Sequence, residues 1–409
     1  MVDKEPEEES DKEPEEAEET KKKRGTPKKK PEEPGVSKEK GSIEDVIANI
    51  KKRYGEDSIE KASKSKALNV ERVPSGIYAI DKLTEGGWPL GRIVQIYGQE
   101  SGGKTTTLLK SIANAQRFCK HCLKVRPDRK LYIGEEECKC AKPGNFETIY
   151  LDVEGVYDAE WSSLCGVDND LVWVCRPSYA EQGLDILDGV VRESDANFVI
   201  VDTLTMLAPK EDIMKSTEDG VMALRARLIN RTLRKLVAAS NDQGMLSQRK
   251  MIIFLVCHVN IDIGGFRPME TKAGGKTKEF ANSFELRFKK GKSESLDIGK
   301  STKIECQVKK TKLTSTLGDI DSYELITKST TNFKKGTVDE SHAVFRDALE
   351  LGIIDKDGKT FKVDPRAGFD LYSHGFTVQK DVEQFLVENR DAYESLKRFT
   401  LDYFLGKVE

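Results

Sequence analysis

The sequence predicts an α/β fold: a mostly parallel sheet flanked by helices, followed by a small α+β domain. Short apolar runs recur along the middle of the chain and are separated by polar or helical stretches, which is typical of parallel strands buried on both faces. A glycine-rich loop stands between one run and a helix, and the pattern changes after residue 328. The runs cover residues 92–97, 148–153, 171–175, 198–202 and 251–258, with a further strand at 304–310.

Length and composition limit the class of protein. The chain has 409 residues, enough for two folded units with tails or insertions. Its net charge of −3 neither requires nor excludes nucleic acid, because the clustering of basic residues matters more than their sum. No run approaches the roughly 20 apolar residues of a membrane span, and the N-terminus has no apolar signal region. We therefore expect a cytoplasmic protein without membrane contact.

The N-terminal segment, residues 1–41, contains almost no apolar side chain and runs from an acidic block into a basic one. Such a segment cannot bury enough surface to offset its ordering entropy, so we predict a disordered tail. The tail either serves solubility alone, or it acts on DNA binding. In the second case its basic block attracts DNA, while its acidic block competes with DNA for the protein's own basic groove. Order is predicted to begin at Ser42, a helix cap. A helix is predicted over residues 43–54, where apolar residues follow at helical spacing: Ile43, Val46, Ile47 and Ile50.

A phosphate-binding loop follows the apolar run at 92–97. It reads Gly98-Gln99-Glu100-Ser101-Gly102-Gly103-Lys104-Thr105, a complete G-x-x-x-x-G-K-[ST] pattern. The loop opens a helix predicted over residues 105–118, whose first turn adds Thr106 to the binding residues. The glycines let backbone N–H groups surround phosphates, and the helix N-terminus adds its positive end. Lys104 is predicted to reach the β and γ phosphates, and the Thr105 hydroxyl to bind Mg²⁺.

Two strands that end in carboxylates complete this predicted site. The run 198–202 ends in Asp202, which can organise the water shell of Mg²⁺. That signal would be weak alone, since many buried strands end in Asp. The run 148–153 leads into Glu154, and a carboxylate beyond the γ phosphate can orient and deprotonate the attacking water. Glu154 is therefore our candidate base.

These landmarks, in this order, resemble the RecA-type DNA recombinases over about residues 43–329. The resemblance extends to segments on both sides of the nucleotide loop. They include Ile50-Lys51-Lys52-Arg53-Tyr54-Gly55, Ser58-Ile59, Pro74-Ser75-Gly76, Gly86-Gly87, Pro89-Leu90-Gly91-Arg92, Gly166-Val167-Asp168, Arg176-Pro177, Asp202-Thr203, Leu207-Ala208-Pro209-Lys210, Gly274-Gly275 and Phe280-Ala281-Asn282-Ser283. The resemblance implies a RecA-like P-loop ATPase core that binds ATP between protomers.

The resemblance also implies roles for particular residues. It assigns Asp158 and Trp161 to the nucleotide, with the Trp161 ring stacked on adenine. It assigns Lys310 and Lys312 to the γ phosphate held by the neighbouring protomer. The first helix and strand would dock on that same protomer. ATP would then stiffen a helical homo-oligomeric filament on single-stranded DNA, and hydrolysis would release the DNA. The implied activity is pairing with double-stranded DNA and strand exchange.

The chain departs from the family at the end of the run 251–258. The family usually has glutamine there, where it senses the γ phosphate, and this sequence has His258. A histidine can make the same hydrogen bond, and it can also titrate near neutral pH. Either His258 acts only as an equivalent donor, or it makes the coupling of ATP to DNA sensitive to pH.

Four cysteines occur as two close pairs in an insertion predicted over residues 119–147. Cys119-x2-Cys122 and Cys138-x-Cys140 are separated by fifteen residues, which is the spacing of a small tetrahedral knuckle with structural Zn²⁺. A redox-active pair and unligated thiols are the alternatives, and His121 is a competing ligand. The insertion would contact DNA or a partner, or only cap a long loop.

Basic residues near two predicted mobile segments, 211–220 and 259–275, indicate DNA contact, because cationic grooves hold single-stranded DNA. The candidates are Arg225, Arg267 and Lys276. Solvated surface charge is the alternative for each of them.

Three other functions remain open. A hexameric DNA helicase shares this type of ATPase core, and rings instead of filaments would identify it. A non-exchanging recombination mediator would be expected to lack part of the catalytic set, which is complete here. A signalling ATPase that does not act on DNA would leave the basic segments unexplained. Separately, the protein could have an additional binding partner, either a recombination mediator or a single-strand-binding protein.

We divide the chain into a tail (1–41), an N-terminal oligomerisation helix and strand (42–72), the ATPase core (73–328) and the C-terminal α+β domain (329–409). In the last of these, the segments 338–351 and 378–404 are predicted to be helical. In the family, the last region modulates the entry of duplex DNA, and that role is a hypothesis here. The cysteine insertion and His258 indicate a divergent lineage. A viral source, which would place the protein in the host cytoplasm, is a further hypothesis.

Overall fold

A computed structural model describes residues 42–61, 63, 70–214, 222–241, 245–262, 269–272, 281–296 and 299–408. The chain divides into two compact units, residues 1–59 and 60–409. The tail predicted at residues 1–41 lies outside the described residues. Of the helices that are described, none combines the length and the apolar character needed to cross a lipid bilayer.

The first unit contains helix α1 (Ile43–Tyr54), with the bounds that the apolar spacing predicts. Ser42 begins it with a capping box, in which the Asp45 N–H donates to Ser42 Oγ (3.2 Å) and the Ser42 N–H donates to Asp45 Oδ2 (3.0 Å). The helix buries no residue, and Ile43 and Val46 are 72% and 49% exposed. An amphipathic helix whose apolar residues remain exposed suits a surface that meets another molecule.

The strand predicted just after this helix is not formed at Ser58 and Ile59. Residues Glu56–Ser58 form a 3₁₀ turn instead, in which the Ser58 N–H donates to Gly55 O (3.1 Å). A lone extended segment has to find a partner strand for its backbone groups, whereas a turn satisfies them locally. Residues 62 and 64–69 lie outside the described part of this segment.

The second unit is built on a large central sheet with two small two-stranded sheets beside it. The strands in chain order are β1 (Arg72–Val73), β2 (Trp88–Pro89), β3 (Ile93–Gly98), β4 (Thr148–Asp152), β5 (Val172–Cys175), β6 (Phe198–Asp202), β7 (Ile252–Asp262), β8 (Met269–Lys272), β9 (Phe284–Leu296), β10 (Gly299–Thr311), β11 (Ile320–Lys328), β12 (Val338–Asp339), β13 (Ile354–Asp357) and β14 (Thr360–Val363). The order in the central sheet is β12-β11-β10-β9-β3-β7-β6-β4-β5, and β8 pairs with β7.

Six of these strands are parallel, from β9 through β3, β7, β6 and β4 to β5. The predicted α/β class with a mostly parallel sheet is confirmed. The antiparallel extension from β9 to β12 was only partly predicted, because the long β9–β10 hairpin carries exposed lysines and so lacks the apolar run of a buried strand. Lys289 and Lys290 are examples.

Helices cover both faces of the sheet. They are α2 (Tyr78–Leu83), α3 (Lys104–Ala115), α4 (Ala159–Leu164), α5 (Ala180–Glu193), α6 (Lys210–Met214), α7 (Met222–Asn241), α8 (Met245–Gln248), α9 (Ser341–Glu350), α10 (Gln379–Glu388) and α11 (Arg390–Phe404). Val94 and Ile96 of β3 join the core beneath α2 and α3. Ile93 and Tyr97 join the opposite core beneath α5 and α7, as the alternation of side chains along a strand requires.

Three predicted segments differ from the observed elements. The helix predicted over 105–118 begins at Lys104 and ends at Ala115. The helical segment predicted over 338–351 begins with β12, because residues 338–339 pair with β11, and only then continues as α9. The segment 378–404 is two helices, since Asn389 has non-helical angles (φ −110°, ψ 82°) between α10 and α11.

A buried ion pair links the helices after β12 to α2. The Glu340 carboxylate, whose side chain is 2% exposed, accepts from the backbone N–H groups of Tyr78 (2.8 Å) and Ala79 (3.0 Å). It also lies 3.2 Å from the Lys397 Nζ of α11. These contacts join three elements, together with an apolar core that includes Tyr78, Phe345 and Leu396.

We expect Glu340→Ala to lower the free energy of unfolding by about 3–5 kcal/mol, because it leaves the buried Lys397 ammonium without its carboxylate partner. Chemical denaturation measures this change. Glu350→Ala is the matched control, since Glu350 is exposed at the end of the same helix α9 and its loss should cost less than about 0.5 kcal/mol. Equal shifts for the two variants would contradict the stabilising role of Glu340.

Candidate functional site

The glycine-rich loop lies at the carboxyl end of β3 and leads directly into α3. All of β3 is buried, so the loop starts from a firmly packed base. Gly103 has a φ of +88°, and a Cβ there would lie 2.9 Å from Ile304 Cδ1, so a side chain would be strained and crowded. The first-turn N–H groups of α3 have no partner within the helix, and they lie at this loop. Gln99, Glu100 and Ser101 form its exposed tip, with Gly102 buried behind them.

Lys104 lies inside the loop. Its Nζ donates to the carbonyl oxygens of Gly98 (3.0 Å) and Gln99 (2.7 Å), and the residue is only 5% exposed. Burial lowers the pKa of Lys104, and the nearby carboxylates of Asp202 and Glu154 act in the opposite direction. The loop thus holds an ammonium group where the sequence predicts phosphates.

Asp202, at the end of β6, connects the loop to two neighbouring elements. Thr105 Oγ1 donates to Asp202 Oδ2 at 2.8 Å, and the Tyr150 hydroxyl from β4 donates to the same oxygen at 2.5 Å. Thr203 Oγ1 donates to Oδ1 at 2.8 Å. Burial and the Asp202 charge raise the pKa of Tyr150, so this hydroxyl stays protonated as a donor. A hydroxyl and a carboxylate this close are the oxygen ligands that Mg²⁺ prefers, so the pair fits the predicted ion.

Glu154 and His258 form a second polar pair at the same edge of the sheet. Glu154 follows β4, and His258 lies in β7 opposite Gly98 of the loop. His258 Nε2 is 2.8 Å from Glu154 Oε1, and about a quarter of each side chain is exposed. The strands β3, β7, β6 and β4 are adjacent and parallel, so their carboxyl ends collect Lys104, Asp202 and this pair, as parallel α/β sheets do at binding sites.

The segment carrying Glu154 is anchored by Asp152, a contribution that sequence reasoning missed. Asp152 is 2% exposed, and its carboxylate accepts from the backbone N–H groups of Val156 (2.9 Å) and Tyr157 (3.1 Å). Arg176 Nε donates to it at 2.9 Å from beyond β5. The sequence does show an acidic residue, Asp152, at the end of a buried strand. Nothing in the sequence, however, distinguishes an acid that anchors the following loop from one that acts in the site.

Comparison with known proteins agrees with this geometry. The sequence profile of the RecA N-terminal domain matches residues 41–132 and 135–327. The chain is 32% identical over 296 residues to Protein RecA of Francisella tularensis subsp. novicida (strain U112), covering 71% of this chain and 73% of that protein. Protein RecA from subsp. holarctica (strain LVS) and subsp. tularensis (strain SCHU S4 / Schu 4) match to the same extent. The chain belongs to the RecA family. The family predicted from the sequence is confirmed.

In this RecA family member, the two residues assigned to the nucleotide base have local partners. Asp158 caps α4, accepting from the N–H groups of Glu160 (2.9 Å) and Trp161 (3.0 Å). The Trp161 indole donates to Thr106 Oγ1 of α3 (3.3 Å), and Lys335 Nζ lies 5.3 Å from its ring centroid. Trp161 is therefore held beside the loop helix, and Asp158 begins α4; the nucleotide contacts of both residues stay predictions.

Lys310 and Lys312 lie at the end of β10, on the far side of β9 from the loop. Lys310 Nζ donates to the backbone carbonyl (2.8 Å) and side-chain oxygen (2.6 Å) of Asn282, and Asn282 Nδ2 donates to Gln95 of β3 (2.7 Å). The Lys312 N–H donates to Ser283 O (3.0 Å). Within this RecA chain Lys310 has an internal partner, and its role toward a neighbouring protomer remains a prediction.

Of the three DNA-binding candidates in this RecA chain, Arg225 is described. It lies in α7, and its Nη1 donates to Thr205 O at 3.5 Å. Thr205 Oγ1 in turn accepts from the His258 N–H at 3.4 Å. Arg267 and Lys276 lie outside the described residues.

The four cysteines predicted as zinc ligands come together. Their sulfur atoms all lie within 4.8 Å of one another, with Cys119 and Cys138 buried and Cys122 and Cys140 half-buried. His121, the competing candidate, does not belong to this group. The set of four thiols fits the Cys₄ coordination of Zn²⁺, which the sequence spacing predicts.

Proposed function

We propose that the protein hydrolyses Mg-ATP and, as a filament on single-stranded DNA, pairs with double-stranded DNA and exchanges strands. Membership of the RecA family supports recombination and repair as the biological setting. The observation that carries the proposal is the convergence of Lys104, the Thr105–Asp202 pair and the Glu154–His258 pair at the carboxyl ends of adjacent strands.

Each of these groups has a distinct task in the proposed hydrolysis. Lys104 and the first-turn N–H groups of α3 would bind the phosphates, and Thr105 with Asp202 would hold Mg²⁺, which neutralises charge on the phosphate oxygens. Glu154 would orient the attacking water and accept its proton. The bond to His258 places the Glu154 carboxylate, and the backbone bonds to Asp152 hold the segment that carries it.

A continuous path supports coupling between ATP and DNA. β7 carries His258 and continues to Asp262, pairing with β8, which lies within the second predicted DNA-contacting segment. On the other side of His258, Thr205 bridges to Arg225 of α7, the helix that follows the first such segment. A movement of His258 toward or away from the γ phosphate would therefore act on both segments.

The filament part of the proposal rests on α1 and on the lysines at the end of β10. Ile43 and Val46 of α1 leave apolar surface uncovered, as a helix that docks on a neighbouring protomer would. Lys310 and Lys312 are proposed to meet the γ phosphate of that neighbour.

The pH dependence of DNA-stimulated ATP hydrolysis tests the role of His258. We expect His258→Gln to retain hydrolysis, because the amide can still donate to Glu154, and to flatten the pH profile near neutrality. His342→Gln is the matched control, since that exposed histidine pairs with Glu383 in the C-terminal region. An unchanged profile for His258→Gln would show that the histidine acts only as a donor.

The proposed function is tested by ATP hydrolysis with and without single-stranded DNA, together with electron microscopy of the same samples. DNA-stimulated turnover with helical filaments, followed by strand exchange between homologous duplex and single-stranded DNA, would support it. Closed rings would indicate the helicase alternative. Turnover indifferent to DNA would indicate a signalling ATPase, and filaments without strand exchange a mediator.

A further inference from the structure

The cysteine cluster lies just beyond the helix of the nucleotide loop. α3 ends at Ala115, and Cys119 follows after one further turn of chain. Cys119 and Cys122 lie at a reversal in which Leu123 has a φ of +58° and the Cys119 N–H donates to Lys124 O (2.9 Å). The other pair is brought alongside when the Cys138 N–H donates to Val125 O (2.7 Å). The backbone therefore presents the two pairs of thiols toward each other.

Backbone N–H groups point at two of the sulfur atoms. The Cys140 N–H lies 3.3 Å from Cys138 Sγ, and the Gly144 N–H lies 3.4 Å from Cys119 Sγ. Such donors stabilise a thiolate and orient it, and they commonly surround metal-bound cysteines. A Cβ at Gly144 would lie 2.6 Å from His121 Nε2, so a side chain there would displace the exposed His121 ring. The cluster thus has the donors that a metal-thiolate centre needs in addition to its ligands.

The segment between the cysteine pairs has very little core of its own. Val125 is buried, whereas Leu131 and Ile133 are 63% and 75% exposed. A loop of this length with so few buried apolar residues cannot offset its ordering entropy by packing alone. A metal bound by four thiolates would supply the missing stabilisation.

The same segment contacts the last helix of the protein. The Ile133 N–H donates to Asp391 Oδ1 (3.1 Å), and Arg398 Nη2 donates to Ile133 O (2.8 Å), so both backbone groups of one exposed residue are held by α11. Near its base the segment is held by an ion pair between Arg117 and Glu135. Glu135 Oε2 also accepts from the N–H groups of Leu131 and Tyr132, at 3.0 Å each.

We propose that Cys119, Cys122, Cys138 and Cys140 bind one Zn²⁺, and that the metal holds residues 119–146 as a strap that fastens α11 to the end of the nucleotide-loop helix α3. The strap would limit movement of the C-terminal helices relative to the ATPase core. This inference concerns a metal site and a tie between two elements, and it stands whether or not the protein exchanges DNA strands.

Metal content tests the first half of the proposal. The full-length protein, purified without added metal, is expected to contain one zinc per chain by elemental analysis. Replacing the metal with Co²⁺ should produce the intense visible absorption of tetrahedral thiolate-bound cobalt. Cys122→Ser and Cys140→Ser should lose the metal, and Cys175→Ser, a half-buried cysteine outside the cluster, should keep it. Zinc-free protein with cysteines paired as disulfides would overturn the proposal.

Amide hydrogen exchange tests the strap. Chelating the metal from wild-type protein is expected to speed exchange in α11 roughly tenfold, since two hydrogen bonds to Ile133 are lost together. Arg398→Ala should speed exchange in α11 while retaining one zinc per chain, which separates the contact from the metal. Arg192→Ala, which removes an exposed pair with Asp188 within α5, is the control. Zinc binding without any change in α11 on chelation would overturn the strap and leave only a local metal site.

Discussion

Glu154→Gln is expected to lower DNA-stimulated ATP turnover by roughly 10²–10⁴-fold, the usual contribution of a general base. The amide cannot accept a proton from water, yet its oxygen can still receive the hydrogen bond that His258 Nε2 makes to the carboxylate at 2.8 Å. The bonds from Val156 and Tyr157 go to Asp152 and are untouched. We therefore expect nucleotide affinity and folding stability close to those of the wild type. Steady-state hydrolysis and equilibrium binding of a fluorescent ATP analogue measure the two effects separately.

Glu160→Gln is the matched control for this variant. Glu160 lies six residues further along, in the first turn of α4, with an exposed side chain, and it carries the same charge. Its turnover should stay within about twofold of the wild type, because its exposed side chain is not among the groups that converge at the loop. If Glu154→Gln retained wild-type turnover, the base would have to be another group, and the assignment of Glu154 would be wrong.

Lys104→Ala is expected to abolish measurable nucleotide binding and to lower kcat/KM for ATP by at least about 10³-fold, the scale on which cations act in phosphoryl transfer. The Nζ of Lys104 lies within the loop, against the carbonyl oxygens of Gly98 and Gln99, so the variant removes the ammonium group from the predicted phosphate-binding loop. Burial lowers the pKa of Lys104, which shows that its charge is held at an energetic cost in the protein.

Stability measurements distinguish this effect from misfolding. Removing a partly desolvated ammonium relieves a burial cost while losing two hydrogen bonds, so we expect the free energy of unfolding to change by less than about 1 kcal/mol. Lys359→Ala is the control, because Lys359 is exposed in the β13–β14 hairpin. Unfolding of Lys104→Ala at much lower denaturant would mean that the lysine supports the fold, and nucleotide binding at wild-type affinity would remove it from the site.

The position of the glycine-rich loop between β3 and α3 could be predicted from the sequence, because its geometry is local, whereas its binding of phosphates stays a prediction. Eight consecutive residues between a strand and a helix determine where the glycines, Lys104 and Thr105 lie. The cysteine pairs are a similar case: their spacing predicted four thiols around one point, and the sulfur atoms do converge. The order of motifs along the chain also predicted the RecA family, which the comparisons confirm.

The sequence predicted some boundaries of strands and helices correctly and missed others. Apolar runs identified the strands buried on both faces, and β6 has the predicted bounds Phe198–Asp202. The hairpin of β9 and β10 carries lysines on its exposed face, and its first strand was therefore missed. The division at Asn389 was missed as well, because a helical pattern can continue through a residue whose backbone angles are set by packing.

By itself, the sequence determined the fold class, the place of the glycine-rich loop, the candidate metal ligands and the family, because each of these depends on neighbouring residues or on a regular spacing. Only the tertiary structure decided which distant groups meet. Thr105 donates to Asp202, and Tyr150 donates to the same carboxylate oxygen, while Glu154 is hydrogen-bonded to His258 across about a hundred residues of chain. These contacts depend on the order β3-β7-β6-β4 in the sheet. Strand order is set by the packing of the whole core, which no local pattern encodes.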